Sequence, residues 1–237
     1  MPVRQARALA TTLWGFLRRF ETRALLIFMA AIGAVWAFFS IAEEVAEGET
    51  HAVDERLILL FRNPADLNDP IGPRNVEEAV RDITALGGFT VVTLATIVGV
   101  LAFAFHRRWR HAAVLLGTVL LAEFSSETTK ALYSRPRPDI VPHGAYVYSG
   151  SFPSGHSTLS AATFLTLAVL ISSLEPHRRT KALVYVLALA LLVTIGVSRV
   201  YLGVHWPSDV LAGWCLGAAW AFLAWVVLRA VGGRTRG

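Results

Sequence analysis

Three short polar segments stand out in a chain that is otherwise apolar. They are Lys130-Ala-Leu-Tyr-Ser-Arg-Pro-Arg-Pro, Ser151-Phe-Pro-Ser-Gly-His-Ser and Ser198-Arg-Val-Tyr-Leu-Gly-Val-His-Trp-Pro-Ser-Asp. Their composition suits an anion. Lys130, Arg137 and Arg199 supply positive charge, and arginine grips a phosphate through two parallel hydrogen bonds. Ser154-Gly-His-Ser reads as a helix start, where free backbone N–H groups and the positive end of the dipole favour phosphate. Gly155 lets the backbone approach a ligand closely. Pro153 and Pro207 suit positions at or just before a helix start. Two histidines supply reactive groups. His205 and Asp209 are four residues apart, so the carboxylate can hydrogen-bond one imidazole nitrogen and leave the other unprotonated and nucleophilic. His156, next to Gly155, is placed to act as a general acid toward a leaving oxygen.

Each of these groups also has a structural reading. Lys130 and Arg137 suit snorkelling at a membrane interface, a serine at a helix start is a common cap, and a His–Asp pair at this spacing can simply brace a helix. Two histidines and several carboxylates would form a rival metal-ligand set. Three cationic side chains beside them would repel a cation, so neither a metal nor another cofactor is expected. Glu123 and Glu127, within a turn or two of Lys130, need a partner or a proton inside a membrane; pairing with Lys130 or a neighbouring helix, as structural support, is expected. Tyr133, Tyr201 and Trp206 are expected in the interfacial aromatic belt.

The elements that must position these groups are membrane helices. Of the 237 residues, 54% are hydrophobic and 16% charged, against about 25% charged in a soluble domain. The apolar residues lie in runs near the ~20 residues that cross a bilayer, which excludes a soluble protein and a disordered one. The expected fold is all-α: one membrane-embedded domain, 1–237, with six spans near 24–41, 86–105, 112–130, 157–173, 182–197 and 210–228. The first run, preceded by Arg18, Arg19 and Arg23, is expected to be a retained helix and not a removed signal. Placing both termini in the cytoplasm puts 14 of the 22 basic residues on that side, among them Arg4, Arg7, Arg107, Arg108, Arg110, Arg178, Arg179, Lys181, Arg229, Arg234 and Arg236, as the positive-inside rule requires. The three polar segments then share the outer face. The first outer loop, 42–85, is acidic and carries apolar residues at helical spacing: Val53, Leu57, Leu60 and Phe61, then Val76, Val80, Ile83 and Leu86. One or two short amphipathic helices at the outer surface are expected there. The net charge of +5 forms no continuous basic stripe, so no nucleic-acid partner is expected. The single cysteine, Cys215, excludes an intrachain disulfide and a cysteine-rich metal site and is expected to be a small packing residue.

The three segments resemble the motifs of the type 2 phosphatidic acid phosphatase (PAP2) superfamily, which includes membrane lipid phosphatases. Lys, six residues, Arg-Pro is Lys130 to Arg137-Pro138; Pro-Ser-Gly-His is Pro153 to His156; Ser-Arg, five residues, His, three residues, Asp is Ser198-Arg199 to His205 to Asp209. The motifs are present in order, without departure. The resemblance implies His205 as nucleophile, Asp209 as its orienter and His156 as general acid. It implies Lys130, Arg137 and Arg199 as a phosphate clamp, with Ser154 and the Gly155 N–H as further donors, and no metal. The implied activity is hydrolysis of a lipid phosphate or pyrophosphate through a phosphohistidine, at the outer face of the cytoplasmic membrane. Undecaprenyl pyrophosphate, phosphatidylglycerol phosphate, phosphatidate and lipid A all fit such a clamp. The expected partners are that substrate and the surrounding membrane lipids. A phosphotransferase would use identical residues. A transporter of an anion or lipid would need a polar path, and the central portions of the second, fourth and sixth expected spans carry no charge.

Overall fold

The computed structural model describes residues 22–145 and 149–232. Arg4, Arg7, Arg18, Arg19, Arg234 and Arg236, used above for orientation, lie outside the described residues. Eight helices and one small hairpin follow in the order α1 (Thr22–Glu47), α2 (His51–Leu59), β1 (Arg62–Asn63), β2 (Asp66–Pro70), α3 (Arg74–Ala85), α4 (Phe89–Phe105), α5 (Trp109–Tyr133), α6 (Gly155–Leu174), α7 (Arg178–Tyr201) and α8 (Pro207–Gly232).

Among the described residues, α1, α6, α7 and α8 are long and apolar enough to cross a membrane. A fifth candidate is the pair α3 and α4, bent by 46° at the break between them. At 17 residues, α4 alone falls short of a ~20-residue span. The 25-residue α5 is long enough, but Arg110, Glu123, Glu127 and Lys130 set it apart from the apolar group. The expected span at 157–173 lengthens to α6, that at 182–197 to α7 and that at 210–228 to α8, so each runs past its apolar stretch into the polar flanks that carry the motifs.

The centre of the bundle is α6. Small residues cover it, and Ala161, Ala162, Thr163, Thr166 and Ala168 are all sealed from outside. Small side chains let two helix backbones approach closely, the main source of packing energy where no hydrophobic effect acts between helices in lipid. Gly217 of α8 shows how close: a Cβ there would lie 2.4 Å from the Thr158 carbonyl oxygen of α6 and 2.6 Å from the Ala161 Cβ. On the other flank Val92, Leu115, Val119, Leu159 and Leu170 join α4, α5 and α6. α1 lies outermost, with only Phe38 and Ala42 buried, against Phe152 and Ala212. Cys215 packs in the same cluster, as expected for a small filler.

The outer loop is folded, and its helices bury polar as well as apolar residues. Val53 and Leu57 of α2 and Leu60 just after it face outward, while Asp54 and Ile58 are buried, and Val80 of α3 packs toward Tyr201 and Leu202. In α3 the buried residue is Thr84, not Val76 or Leu86. The hairpin between them pairs Arg62 with Pro70 and Asn63 with Asp66. The buried Arg62 pins it to the bundle, donating from Nη1 to the Tyr201 carbonyl at the end of α7 at 2.9 Å. Tyr201 and Trp206 are also buried rather than belted: the Tyr201 hydroxyl donates to the Ile71 carbonyl at 2.9 Å and the Trp206 indole N–H to the Pro136 carbonyl at 3.0 Å. Tyr133 tilts against the buried Phe152, ring centroids 5.1 Å apart.

Gly217→Ala drives a methyl group into the α6 backbone. Overpacking of this kind costs about 1–3 kcal/mol, so the variant is expected to melt below wild type in detergent; an unchanged Tm contradicts the close α6–α8 contact.

Candidate active site

The last turn of α5, the first turns of α6 and α8 and the last turn of α7 meet at one end of the bundle, where the three polar segments come together. Each arrives for a local reason. Ser134 takes a left-handed conformation, φ 44°, that ends α5 and sends the following Arg-Pro-Arg-Pro across the bundle end. Ser154 caps α6: its Oγ accepts from the Ser157 backbone N–H at 3.4 Å and the Ser157 hydroxyl at 3.1 Å. Gly203, φ +68°, makes the turn from α7 to α8, where a Cβ would lie 2.5 Å from Val141. His205 sits directly after this turn.

His205 and Asp209 are both buried. The imidazole Nδ1 is 3.3 Å from Asp209 Oδ2, and Nε2 is 3.0 Å from Arg137 Nη1. A guanidinium only donates, so Nε2 is the acceptor and the ring proton sits on Nδ1, facing the carboxylate. The remaining bonds of Arg137 go to carbonyls, Nη1 to Val204 at 2.7 Å and Nε to Ser149 at 3.0 Å. Burial pushes the His205 pKa down to about 4, against the opposing pull of Asp209. The ring is therefore neutral at neutral pH, with its Nε2 lone pair directed toward a cation.

The other predicted residues surround this atom. Arg199 is buried; its Nη1 donates to Thr84 of α3 at 3.0 Å, and its Nε has no protein partner. Lys130 Nζ is 2.5 Å from Glu127 Oε1, the structural pairing expected for that acid, and reaches the α6 start, 2.9 Å from where a Gly155 Cβ would lie. His156 lies within electrostatic reach of Arg199, His205, Lys130 and Arg137. It packs against the α3–α4 elbow, its Nε2 3.8 Å from where a Gly88 Cβ would lie. Ser154 is fully buried; its Oγ caps α6 by accepting both hydrogen bonds above, and its backbone N–H donates to the Asp209 carbonyl oxygen at 3.0 Å. Among the described residues no group of three or more histidines, cysteines, aspartates or glutamates is placed to hold a metal ion.

Four further residues were not singled out from the sequence. Arg135 donates to Asp209 Oδ1 at 2.6 Å and to Asp54 Oδ2 at 2.9 Å. Ser151 donates its hydroxyl to Asp209 Oδ2 in a short hydrogen bond. Thr84 holds Arg199 as above. The doubled Arg-Pro was the one available signal, since it sets a second arginine two residues from Arg137. Asp54 and Thr84 carried none, because nothing local distinguishes them from other polar residues of an acidic loop.

Residues 109–232 match the PAP2 superfamily. The chain belongs to this superfamily. It is 36% identical over 152 residues to a phosphatidylglycerophosphatase B of Bacillus subtilis, covering 62% of this chain and 73% of that protein. It is 33% identical over 129 residues to a lipid A 1-phosphatase of Rhizobium johnstonii, covering 51% of this chain and 49% of that protein, so it spans about half the length of that second relative. Its fold is similar to the crystal structure of a transmembrane PAP2-type phosphatidylglycerolphosphate phosphatase from Bacillus subtilis, with TM-score 0.68 and 25% identity over 91% of this chain and 98% of that one. The match covers every polar segment described above, and with the apolar helices it makes this PAP2 protein a multi-pass membrane phosphatase.

In ¹⁵N NMR of histidine-labelled protein at neutral pH, His205 is expected with Nδ1 protonated and Nε2 bare, and neutral until the pH falls to about 4. A protonated Nε2, or a ring that titrates near the ordinary 6.5, contradicts this geometry.

Proposed function

We propose that this PAP2 protein hydrolyses a lipid phosphate or pyrophosphate without a metal, through a phosphohistidine on His205. One observation carries the reading: the cation Arg137 and the lone pair of His205 Nε2 meet at a single point, 3.0 Å apart, so a phosphate drawn to the clamp arrives at the attacking atom. The phosphate oxygens replace the Arg137–Nε2 contact and take up the free Arg199 Nε and Lys130 Nζ, alongside the Gly155 N–H. Nε2 then attacks phosphorus in line and the P–O bond to the lipid breaks. His156, which takes up a proton as the negatively charged phosphate enters the cationic cluster, protonates the departing oxygen. The Nδ1–H stays on the ring and Asp209 stabilises the positive charge that the ring gains on phosphorylation. Water, losing its proton to His156, attacks the phosphohistidine and frees His205. The three cations stabilise charge on the equatorial oxygens throughout.

The lipid nature of the substrate is supported by the relatives and by the surroundings of the site. An apolar cleft of about 470 Å³ between α1, α5 and α8, lined by Ile32, Trp36, Ser125, Leu216 and Trp220, lies below Lys130 along α5 and suits acyl or prenyl chains. In this reading α5 and α4 complete six spans, with both termini cytoplasmic. The arginines of the α4–α5 and α6–α7 turns then mark the inner side, and the site faces the periplasm or exterior. The substrate pool spans phosphatidylglycerol phosphate, undecaprenyl pyrophosphate, phosphatidate and lipid A.

The test is phosphate release by detergent-purified protein against those four lipids, with EDTA present throughout. Release is expected to persist in EDTA, to fall about a thousandfold or more in His205→Ala recovered as folded protein, and to be inhibited by vanadate. Metal-dependent release, or near-normal turnover in His205→Ala, contradicts the mechanism. Transfer of the phosphoryl group to an added lipid acceptor without release of phosphate assigns the same residues to a phosphotransferase.

A further inference from the structure

The carboxylate of Asp209 does not hold His205 alone. It is itself held by Arg135, and Arg135 is held by Asp54, which belongs to the outer-loop helix α2, remote in sequence from the motifs. Arg135 lies between the two acids, 2.6 Å from Asp209 Oδ1 and 2.9 Å from Asp54 Oδ2, and over the Trp206 ring at 5.5 Å. Its Nη1 also donates to Ser208 Oγ at 2.8 Å and its Nη2 to Thr50 Oγ1 at 3.2 Å. Asp54 in turn accepts the Ser208 backbone N–H at 2.9 Å and the Ser208 hydroxyl at 2.6 Å. It thereby caps the first turn of α8, one residue before Asp209. All three ionic groups are withdrawn from solvent: the side chains of Asp54, Arg135 and Asp209 are 3%, 11% and 0% exposed.

Buried charges at this separation interact strongly, and removing one partner leaves the others uncompensated. The two acids and one guanidinium carry a net single negative charge. That matches the single positive charge of a phosphorylated imidazole.

We propose that Asp54 and Arg135 are positioning residues for the His205–Asp209 couple: Arg135 fixes Asp209 Oδ1, which turns Oδ2 toward the imidazole, the Ser151 hydroxyl and the Trp206 N–H, and Asp54 restores the negative charge that Arg135 would otherwise cancel. The inference rests on the reading of His205 as nucleophile. It makes the outer loop part of the reaction machinery, because α2 must dock for the couple to be set. The other charged groups facing His205 are Arg137 from the α5–α6 linker, Arg199 from α7 and His156 from α6; these stay unchanged in the variants below.

The test is a charge cycle. Asp54→Asn removes one negative charge and makes the surroundings of His205 more positive, so its titration is expected to move to lower pH than in wild type. Arg135→Gln leaves two acids unneutralised and is expected to move it to higher pH. The double variant restores the net charge, and its titration is expected within about half a pH unit of wild type. The readout is the His205 ¹³Cε1 and ¹⁵N resonances of histidine-labelled protein, assigned by their loss in His205→Asn. Turnover of short-chain phosphatidate supplies the second readout. Each single variant is expected to lose about 10- to 100-fold in kcat with KM within about threefold, and the double variant to recover part of that loss. Shifts of opposite sign, cancelled in the double variant, support the proposal even if wild type releases no phosphate, an outcome that would fail the hydrolase reading alone. Unshifted titrations, shifts of one sign, or additive losses in the double variant overturn it and reduce Asp54 to a clasp. If a single variant is recovered only as aggregate, the double variant decides: folded with a near-normal titration supports the charge pairing, and unfolded or displaced contradicts it.

Discussion

A carboxylate buried in a membrane protein must be paired on every side, and Asp209 is the group on which this requirement falls hardest. Its two oxygens accept from Arg135 on the α5–α6 linker, from Ser151 just before α6, from the Trp206 backbone N–H ahead of α8 and from His205. These donors come from separate stretches of chain, so the carboxylate works as a fastener as well as an electrostatic partner. Saturating it satisfies the desolvation cost of the charge and at the same time fixes the ends of three helices relative to one another. The same set of bonds determines the tautomer of His205. With Nδ1 turned to the acid and Arg137 across from Nε2, one ring position remains for chemistry. The fold and the tautomer of His205 therefore depend on a common set of contacts.

Packing elsewhere serves that arrangement. α6 carries Gly155 and His156 at its start, and it is the helix most enclosed by the others. Its small residues admit α8 at backbone distance, as Gly217 against Thr158 shows, and this keeps His156 and His205 in fixed relation. The outer loop closes the other side. Arg62 ties the hairpin to the end of α7, Thr84 receives Arg199, and Asp54 receives Arg135. In each pair a loop residue and a bundle residue satisfy one another, while Val53 and Leu57 of α2 stay exposed and Ile58 packs into the bundle.

The sequence made the helices and the pocket legible to different degrees. Hydropathy marked α1, α6, α7 and α8, although the apolar stretches of α6 and α7 are shorter than the helices themselves. It served less well at α4, which is short and kinks into α3 at Gly87–Gly88, and at α5, whose charged residues dilute its signal. The residues expected to carry chemistry, Lys130, Arg137, His156, Arg199, His205 and Asp209, converge as their types and order suggested. The Ser154 cap is one of the two readings that its place at a helix start allowed. The apolar spacing of Val53 and Leu57 located α2, and no periodic pattern could show that Asp54 is buried beside Ile58. Asp54 and Arg135 lay beyond sequence reasoning for a plainer cause: their pairing spans 81 residues, and no local pattern encodes such a contact.

The central claim is that His205 forms a covalent bond to phosphorus. It is tested most directly by rapid-quench of the protein with ³²P-labelled phosphatidate under denaturing alkaline conditions, followed by peptide mapping. The account predicts a base-stable, acid-labile label on His205 that accumulates when His156→Ala slows its hydrolysis and is absent from His205→Asn. Full turnover with no trapped label in either background, or a label on any other residue, would contradict it.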